Sequence, residues 1–180
     1  MIIGIACVQA GTWAIGNSKT NSLMYHIKCD MDFFKKKTWH NIVIMGYNCL
    51  KSLPNGKPLE GRMNVVLCSK EHNKDLPRAI SHFNDFQDLL IDTKIWSNWG
   101  MDVYIIGGGK IYQEFLPYMD KVYITKVYDD KKKGDIYFPN LDKDKRFEIC
   151  DILKNVKTKN YSLDFITYRN KSKINIEIPE

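Results

Sequence analysis

No stretch of this sequence approaches the ~18–20 consecutive apolar residues that a membrane-spanning helix needs. The apolar start "MIIGIACVQAG" has no basic leader and alternates into a glycine turn, so it reads as a first strand rather than a signal peptide. Cysteine is sparse and scattered. The five residues Cys7, Cys29, Cys49, Cys68 and Cys150 form no CxxC and stand beside no histidine pair, which argues against a zinc site and against a disulfide frame. Reduced thiols in a cytoplasmic setting are expected. The four histidines, His26, His40, His72 and His82, lack metal-ligand spacing. Long charge runs are missing too. The triplets "KKK" at 35–37 and 131–133 are far apart and carry no aromatic RNA-binding signature. The net charge of +6 therefore reads as solvated faces that could steer a small polyanion, with no nucleic acid and no membrane as partner. Repeats and internal linkers are absent, and 180 residues suit one domain with a real core.

What is present is alternation. Short β-branched runs at 2–8, 42–45, 63–68, 103–106 and 121–127 read as strands covered on both faces. Helical patterns fall at 30–37, 47–52, 84–97 and 109–115. This order predicts an α/β sandwich with a mostly parallel sheet and helices on both faces. Residues 146–153 and 161–169 read as a closing pair around "KTKN", giving an antiparallel C-terminal edge. Loops are expected at 9–28, 53–61, 69–77 and 129–136. The division is one domain over 1–170 and a tail over 171–180. Ile174, Ile176 and Ile178 alternate in that tail, as in an extra edge strand or a segment that docks on a partner; a floppy terminus fits as well.

Two places carry chemistry. In "VYIIGGGKIYQEFLP" (103–117) a strand runs into Gly107, Gly108 and Gly109 at a helix start. Bare backbone there admits an anion against N–H groups and the helix dipole. Tight strand–helix packing would explain the glycines equally, and the pattern is neither GxGxxG nor a Walker loop. In "CDMDFFKKKTWHNIVIMG", Asp30 shares a helix face with Phe34, and Met31 lies beside them. Asp30 either charges the first helical turn or is an acid among apolar neighbours, where burial raises its pKa and a cationic or amidine-like heterocycle can pair with it. Asp32 faces elsewhere and reads as solvated.

These pieces, in this order, resemble dihydrofolate reductase over about residues 2–169. The resemblance rests on "GIACVQAGTWAIGN", "DMDFFKKKT", "IVIMGYNCLKSLP", "PLEGRMNVVLCS", the glycine junction, "KVYITKV" and "GDIYFP". It implies NADPH-dependent reduction of 7,8-dihydrofolate to tetrahydrofolate in support of one-carbon metabolism and thymidylate synthesis, by a cytoplasmic antifolate target. A monomer is expected, with tail-mediated association as the alternative. Asp30 would bind the pterin 2-amino group and N3, and Thr125 would orient it. Ile5, Met31, Phe34, Leu53 and Leu59 would wall the substrate slot, while the backbone of Ala6 and Ile106 borders the ring. Arg62 would grip the glutamyl α-carboxylate with a bidentate fork. Cys7 and Ile15 would sit beside the nicotinamide, with Gly16 and Asn17 opening a mobile covering loop. Gly46, Tyr47, Asn48 and Cys49 would start the short helix near the phosphates, and Ser69 and Lys70 would lie near the adenosine. Gly107, Gly108 and Gly109, continued by Lys110 and Ile111, would receive the pyrophosphate, with a cis peptide at Gly107–Gly108; Tyr112, next on that helix, would lie near the nicotinamide, a core tyrosine being the alternative.

The sequence departs from the family pattern in three places. Met24-Tyr25 replaces a frequent Pro-Trp pair and Lys28 a proline, in a loop that is slightly long. Tyr47 stands where a basic residue commonly holds the cofactor's 2′-phosphate, and Cys49 replaces a threonine, which leaves NADPH preference to Ser69, Lys70 and Lys110. Ile136 replaces a threonine. Two other readings compete: a same-fold pyrimidine reductase of riboflavin synthesis, which need not carry Asp30, Phe34 and Arg62 together, and a binding protein that kept the fold without turnover.

Overall fold

The computed structural model describes residues 1–179. The chain runs β1 (Ile2–Gln9), β2 (Ala14–Asn17), β3 (Ser22–Leu23), α1 (Lys28–Thr38), β4 (Ile42–Gly46) and α2 (Tyr47–Ser52). It continues through β5 (Met63–Leu67), β6 (Ser81–Phe83), α3 (Phe86–Asn98), β7 (Val103–Gly107) and α4 (Gly109–Phe115). It closes with β8 (Lys121–Tyr128), β9 (Ile136–Tyr137), β10 (Phe147–Lys157) and β11 (Ser162–Asn170). The main sheet has the order β10-β11-β8-β1-β7-β4-β5-β6. Its pairs are parallel from β8 to β6, and antiparallel where β11 meets β8 and β10. The predicted three-layer sandwich with an antiparallel edge is the fold.

Strand periodicity sorts the core. Successive side chains point to opposite faces. Ile2, Ile42, Ile44, Val103 and Ile105 therefore pack with Leu89 of α3 and Phe115 of α4. The alternate set, Ile3, Ile5, Val43, Met45 and Tyr104, packs with Leu50 of α2 and is covered by Phe33 and Phe34 of α1. The second face carries the substrate-slot candidates. α3 starts at Asp85, whose carboxylate accepts from the backbone N–H of Gln87 and Asp88. Asp85→Ala is expected to cost about 1 kcal/mol, seen as a lower urea midpoint with an unchanged slope.

Three expectations need correction. The loop predicted over 9–28 contains β2 and β3, which join β9 in a small antiparallel sheet, so Gly16 and Asn17 are the last residues of a strand, before the turn that follows them. β6 was not foreseen. The tail forms no strand among the described residues. It lies along its own chain: Ile174 N–H donates to the Pro117 carbonyl at 2.9 Å, and Lys173 Nζ is 2.7 Å from Asp120 Oδ1. Ile176 is buried, but Ile174 and Ile178 are 51% and 42% exposed. Only one of the three isoleucines finds cover, which is docking by a single anchor.

Candidate active site

Asp30 lies in the first turn of α1, on the helix face shared with Phe34 and Thr38. Opposite it, β1 and β8 run in parallel register with Cys7 against Thr125, so those two side chains stand side by side. Thr125 is 2% exposed. Burial pushes the Asp30 carboxyl above its ordinary range, while hydrogen bonding from Thr125 and Cys7 opposes the shift. The groups acting on it are uncharged, so no cation holds the carboxylate ionised. Burial, and then the proximity of Asp30, push the Cys7 thiol up. Tyr112, buried on α4, donates its hydroxyl to the Ile5 carbonyl at 2.7 Å. Asp32 faces away, exposed and paired to Lys28 at 2.6 Å.

The slot beside Asp30 is apolar. Ile5, Phe34, Leu53, Leu59 and Ile106 belong to one cluster, whereas Ala6 points to the opposite face of β1. Met31 is on the same helix but 53% exposed. At the far end of α1, Arg62 Nη1 donates to Thr38 Oγ1 at 3.2 Å, and its guanidinium carbon lies 5.3 Å from the Trp39 ring centroid. Its Nε is buried without a partner, and burial pulls the guanidinium's pKa down. Among the described residues no carboxylate forms an ion pair with it. An arginine fixed by a hydroxyl and an aromatic face, with no carboxylate partner of its own, has the chemistry to pair with one.

The three glycines do different things. Gly107 has φ 129°, and a Cβ there would lie 3.4 Å from the Tyr112 ring. A Cβ on Gly109 would lie 3.1 Å from Ile136 Cγ2 and from the Tyr137 carbonyl. Around Gly108 a Cβ would meet nothing within 4 Å. Gly108 is also the N-cap of α4 and offers no side-chain cap to the opening helix N–H groups. The Gly107–Gly108 peptide is cis. Gly46 ends the neighbouring β4, with Ile111 beside it. Cys49 directs its sulfur to the Ile106 carbonyl at 3.9 Å, and burial pushes its thiol up to about 12.

Other candidates border this crevice. Ile15 is buried in the first core cluster. The turn after Asn17 reaches α2, where Asn21 Nδ2 donates to the Asn48 carbonyl at 3.0 Å. Ser69 and Lys70 follow the carboxyl end of β5, and the Ser69 hydroxyl donates to Glu71. Lys110 is 3.9 Å from Glu114. Tyr47 stacks on His72. Tyr25, in the altered loop, is buried and donates to Asp129 at 2.9 Å. Sequence reasoning missed His72 and the Trp39 platform, because neither sits in a local pattern with its partner. Two surface cavities open on the opposite side of α1 around Cys29 and Asp32, and Asp30 lines neither of them.

Residues 1–170 match the family model described as dihydrofolate reductase. The dihydrofolate reductase of Ureaplasma parvum is 38% identical over 136 residues, covering 71% of this chain and 81% of the relative. That of Schistosoma mansoni is 31% identical, with 93% and 96% covered. Among solved structures, dihydrofolate reductase from Enterococcus faecalis complexed with NADP(H) and RAB-propyl superposes with a TM-score of 0.79 at 24% identity, covering 94% of this chain and 96% of that one.

Proposed function

The chain belongs to the dihydrofolate reductase family, and from that premise we propose that it reduces 7,8-dihydrofolate to 5,6,7,8-tetrahydrofolate with NADPH, Asp30 serving as the acid of the site. The observation that carries this is a half-buried carboxyl without a cationic partner, set beside an apolar slot one strand away from a bare glycine junction. The open space at Gly108 fits a dinucleotide's pyrophosphate. NADPH, when bound, supplies the hydride.

The protein's own work is to bind, orient and manage a proton. Asp30 would accept hydrogen bonds from the pterin 2-amino group and N3, with Thr125 fixing its orientation. A carboxyl whose pKa is raised by burial retains its proton to higher pH, and from the N3 edge it would promote protonation at N5 through water. Ile5, Phe34, Leu53, Leu59 and Ile106, with Met31 at the margin and the backbone of Ala6, would hold the ring and exclude solvent. Gly46 and Gly107 to Gly109, with Lys110 and Ile111, would hold the pyrophosphate. Cys7, Ile15, Gly16, Asn17 and Tyr112 would border the nicotinamide, Asn48 and Cys49 the phosphates, and Tyr47, Ser69 and Lys70 the adenosine side. Residues 1–170 would form the reductase domain and 171–180 an appended tail. A monomer in the cytoplasm fits five free cysteines and a tail docked on its own chain.

The first test is NADPH oxidation by purified protein with and without dihydrofolate. Turnover that depends on dihydrofolate supports the reaction, and its absence from folded protein that still binds NADPH refutes it. Arg62→Gln should raise KM for dihydrofolate by roughly 10–100-fold and leave kcat nearly unchanged, because a charge-assisted pair is worth about 1.5–3 kcal/mol and acts on ground and transition states alike. Steady-state kinetics check this, and an effect confined to kcat would remove Arg62 from substrate binding.

A further inference from the structure

The sheet extends further than the helix that packs on it. α1 reaches β8, where the Phe33 ring meets the Tyr123 ring edge-on, but the sheet goes on through β11 to β10. Register sets what the uncovered face presents. Tyr123 of β8 stands opposite Thr167 of β11, which stands opposite Asp151 of β10, and Phe165 of β11 stands opposite Leu153 of β10. On the helix, Cys29, Phe33 and Lys37 recur at four-residue spacing, a stripe apart from the Asp30, Phe34 and Thr38 stripe that borders the slot. Between that stripe and the strands lies a groove of about 640 Å³. Its size is within the range of about 300–1,000 Å³ that suits a small organic ligand.

The groove has two unlike ends and an apolar middle. In the middle the Phe33 ring lies 5.2 Å from the Phe165 ring, and Leu153 beside them is 61% exposed. At the inner end Lys37 Nζ is 4.6 Å and Lys121 Nζ 5.1 Å from the centroid of the same Tyr123 ring. Lys37 Nζ is also 3.5 Å from the Tyr123 hydroxyl. Both lysines are half-buried, and among the described residues neither forms an ion pair. The nearby opposite charges are already matched, Asp32 with Lys28 and Glu148 with Arg169. Two ammonium groups gathered on one neutral ring repel each other, and an anion set between them removes that cost. The remaining acid, Asp151, lies two strand spacings from Tyr123, about 10 Å across the sheet. A run of carboxylates would therefore meet Asp151, whereas a molecule charged at one end only would not.

We propose that this groove is a second binding site, separate from the crevice at Asp30, for a small aromatic molecule with one anionic end. The anion sits between Lys37 and Lys121, and the flat body lies on Phe33, Phe165 and Leu153, bridging α1 to the outer strands. Fluorescence titration of the full chain with anilinonaphthalene sulfonate, in excess NADPH, supplies a probe of this chemistry. Its uncharged analogue, N-phenylnaphthylamine, and inorganic sulfate supply the ring and the charge alone. The sulfonate should bind more tightly than either and should raise the melting temperature. The double variant Lys37→Met with Lys121→Met should lose about tenfold in affinity for it, and much of the salt dependence. Leu153→Ser, at an exposed position that the fold tolerates, should weaken both aromatic probes several-fold. Probe binding reads the groove whether or not the protein turns over dihydrofolate. Affinity unchanged in these variants overturns the proposal. So does equal binding of the neutral analogue, which would leave only an apolar face, or of sulfate, which would leave only two lysines. Displacement of the probe by a glutamate-rich peptide at lower concentration would point to a protein partner instead. Affinity that falls as protein concentration rises would show a second copy covering the groove, and either result ends the proposal. Loss of NADPH oxidation in step with lost probe binding would place the probe in the crevice, with the same consequence.

Discussion

Replacing Asp30 by asparagine is expected to reduce dihydrofolate turnover near neutral pH by roughly 10²–10³-fold, the range typical of a lost general acid, while the fold becomes more stable. The two effects have one cause. Burial penalises the ionised carboxylate, and the contributions of Thr125 and Cys7 do not cancel it. The folded-state pKa is raised above the unfolded value, so the group's stabilising contribution is fully present below the ordinary Asp value of ~3.9. It is lost as pH rises through the raised folded value. At any pH above the ordinary Asp range the native state therefore bears the cost of desolvating or neutralising this carboxyl, and Asp30→Asn relieves that cost. Thermal melts at pH 7 should show a higher Tm for the variant, with the gap closing in acid. The residual rate should recover as pH falls, because the proton must then come from solution. A variant with full activity at pH 7 would remove Asp30 from the chemistry, and a lower Tm at pH 7 would contradict the electrostatic account.

Gly108→Val should weaken NADPH binding by roughly a hundredfold, about 2.8 kcal/mol, and leave the melting temperature close to that of the parent. The side chain would enter space that is open in the protein, so folding has little to resist, while the cofactor would have to share that space. Gly107→Ala should behave in the opposite sense. Its φ of 129° is a conformation that L side chains rarely adopt, so stability falls before binding is affected. Fluorescence titration with NADPH and parallel melts separate the two. Undiminished affinity in Gly108→Val would mean that the junction serves packing alone, the competing explanation that the sequence leaves open.

How far the molecule could be read in advance depended on the distance between partners. α2 and α4 have the bounds expected from sequence, because each follows directly on a strand that ends in glycine. Asp30 stood out as an acid on an otherwise apolar stripe. The small sheet escaped notice because β2 pairs with β9, some 120 residues on, and no strand in it exceeds four residues. His72 lies in a polar run whose spacing says nothing about Tyr47, and Trp39 gains meaning only when Arg62 folds against it. The tail showed true alternation, yet Pro117 and Asp120 offer a backbone acceptor and a carboxylate rather than a free strand edge.

The side-by-side placement of Cys7 and Thr125 also bears on the order of events during folding. β1 is made early, but both of its sheet neighbours, β7 and β8, come from residues beyond 100. The loop-closure entropy of those pairings must be met before they return any contact energy. Until β8 docks, Asp30 has one of its two side-chain partners and the slot has no closed wall. A growing chain thus carries an inert acid until its second half arrives, and any competence to bind pterin marks a chain whose central pairing is complete.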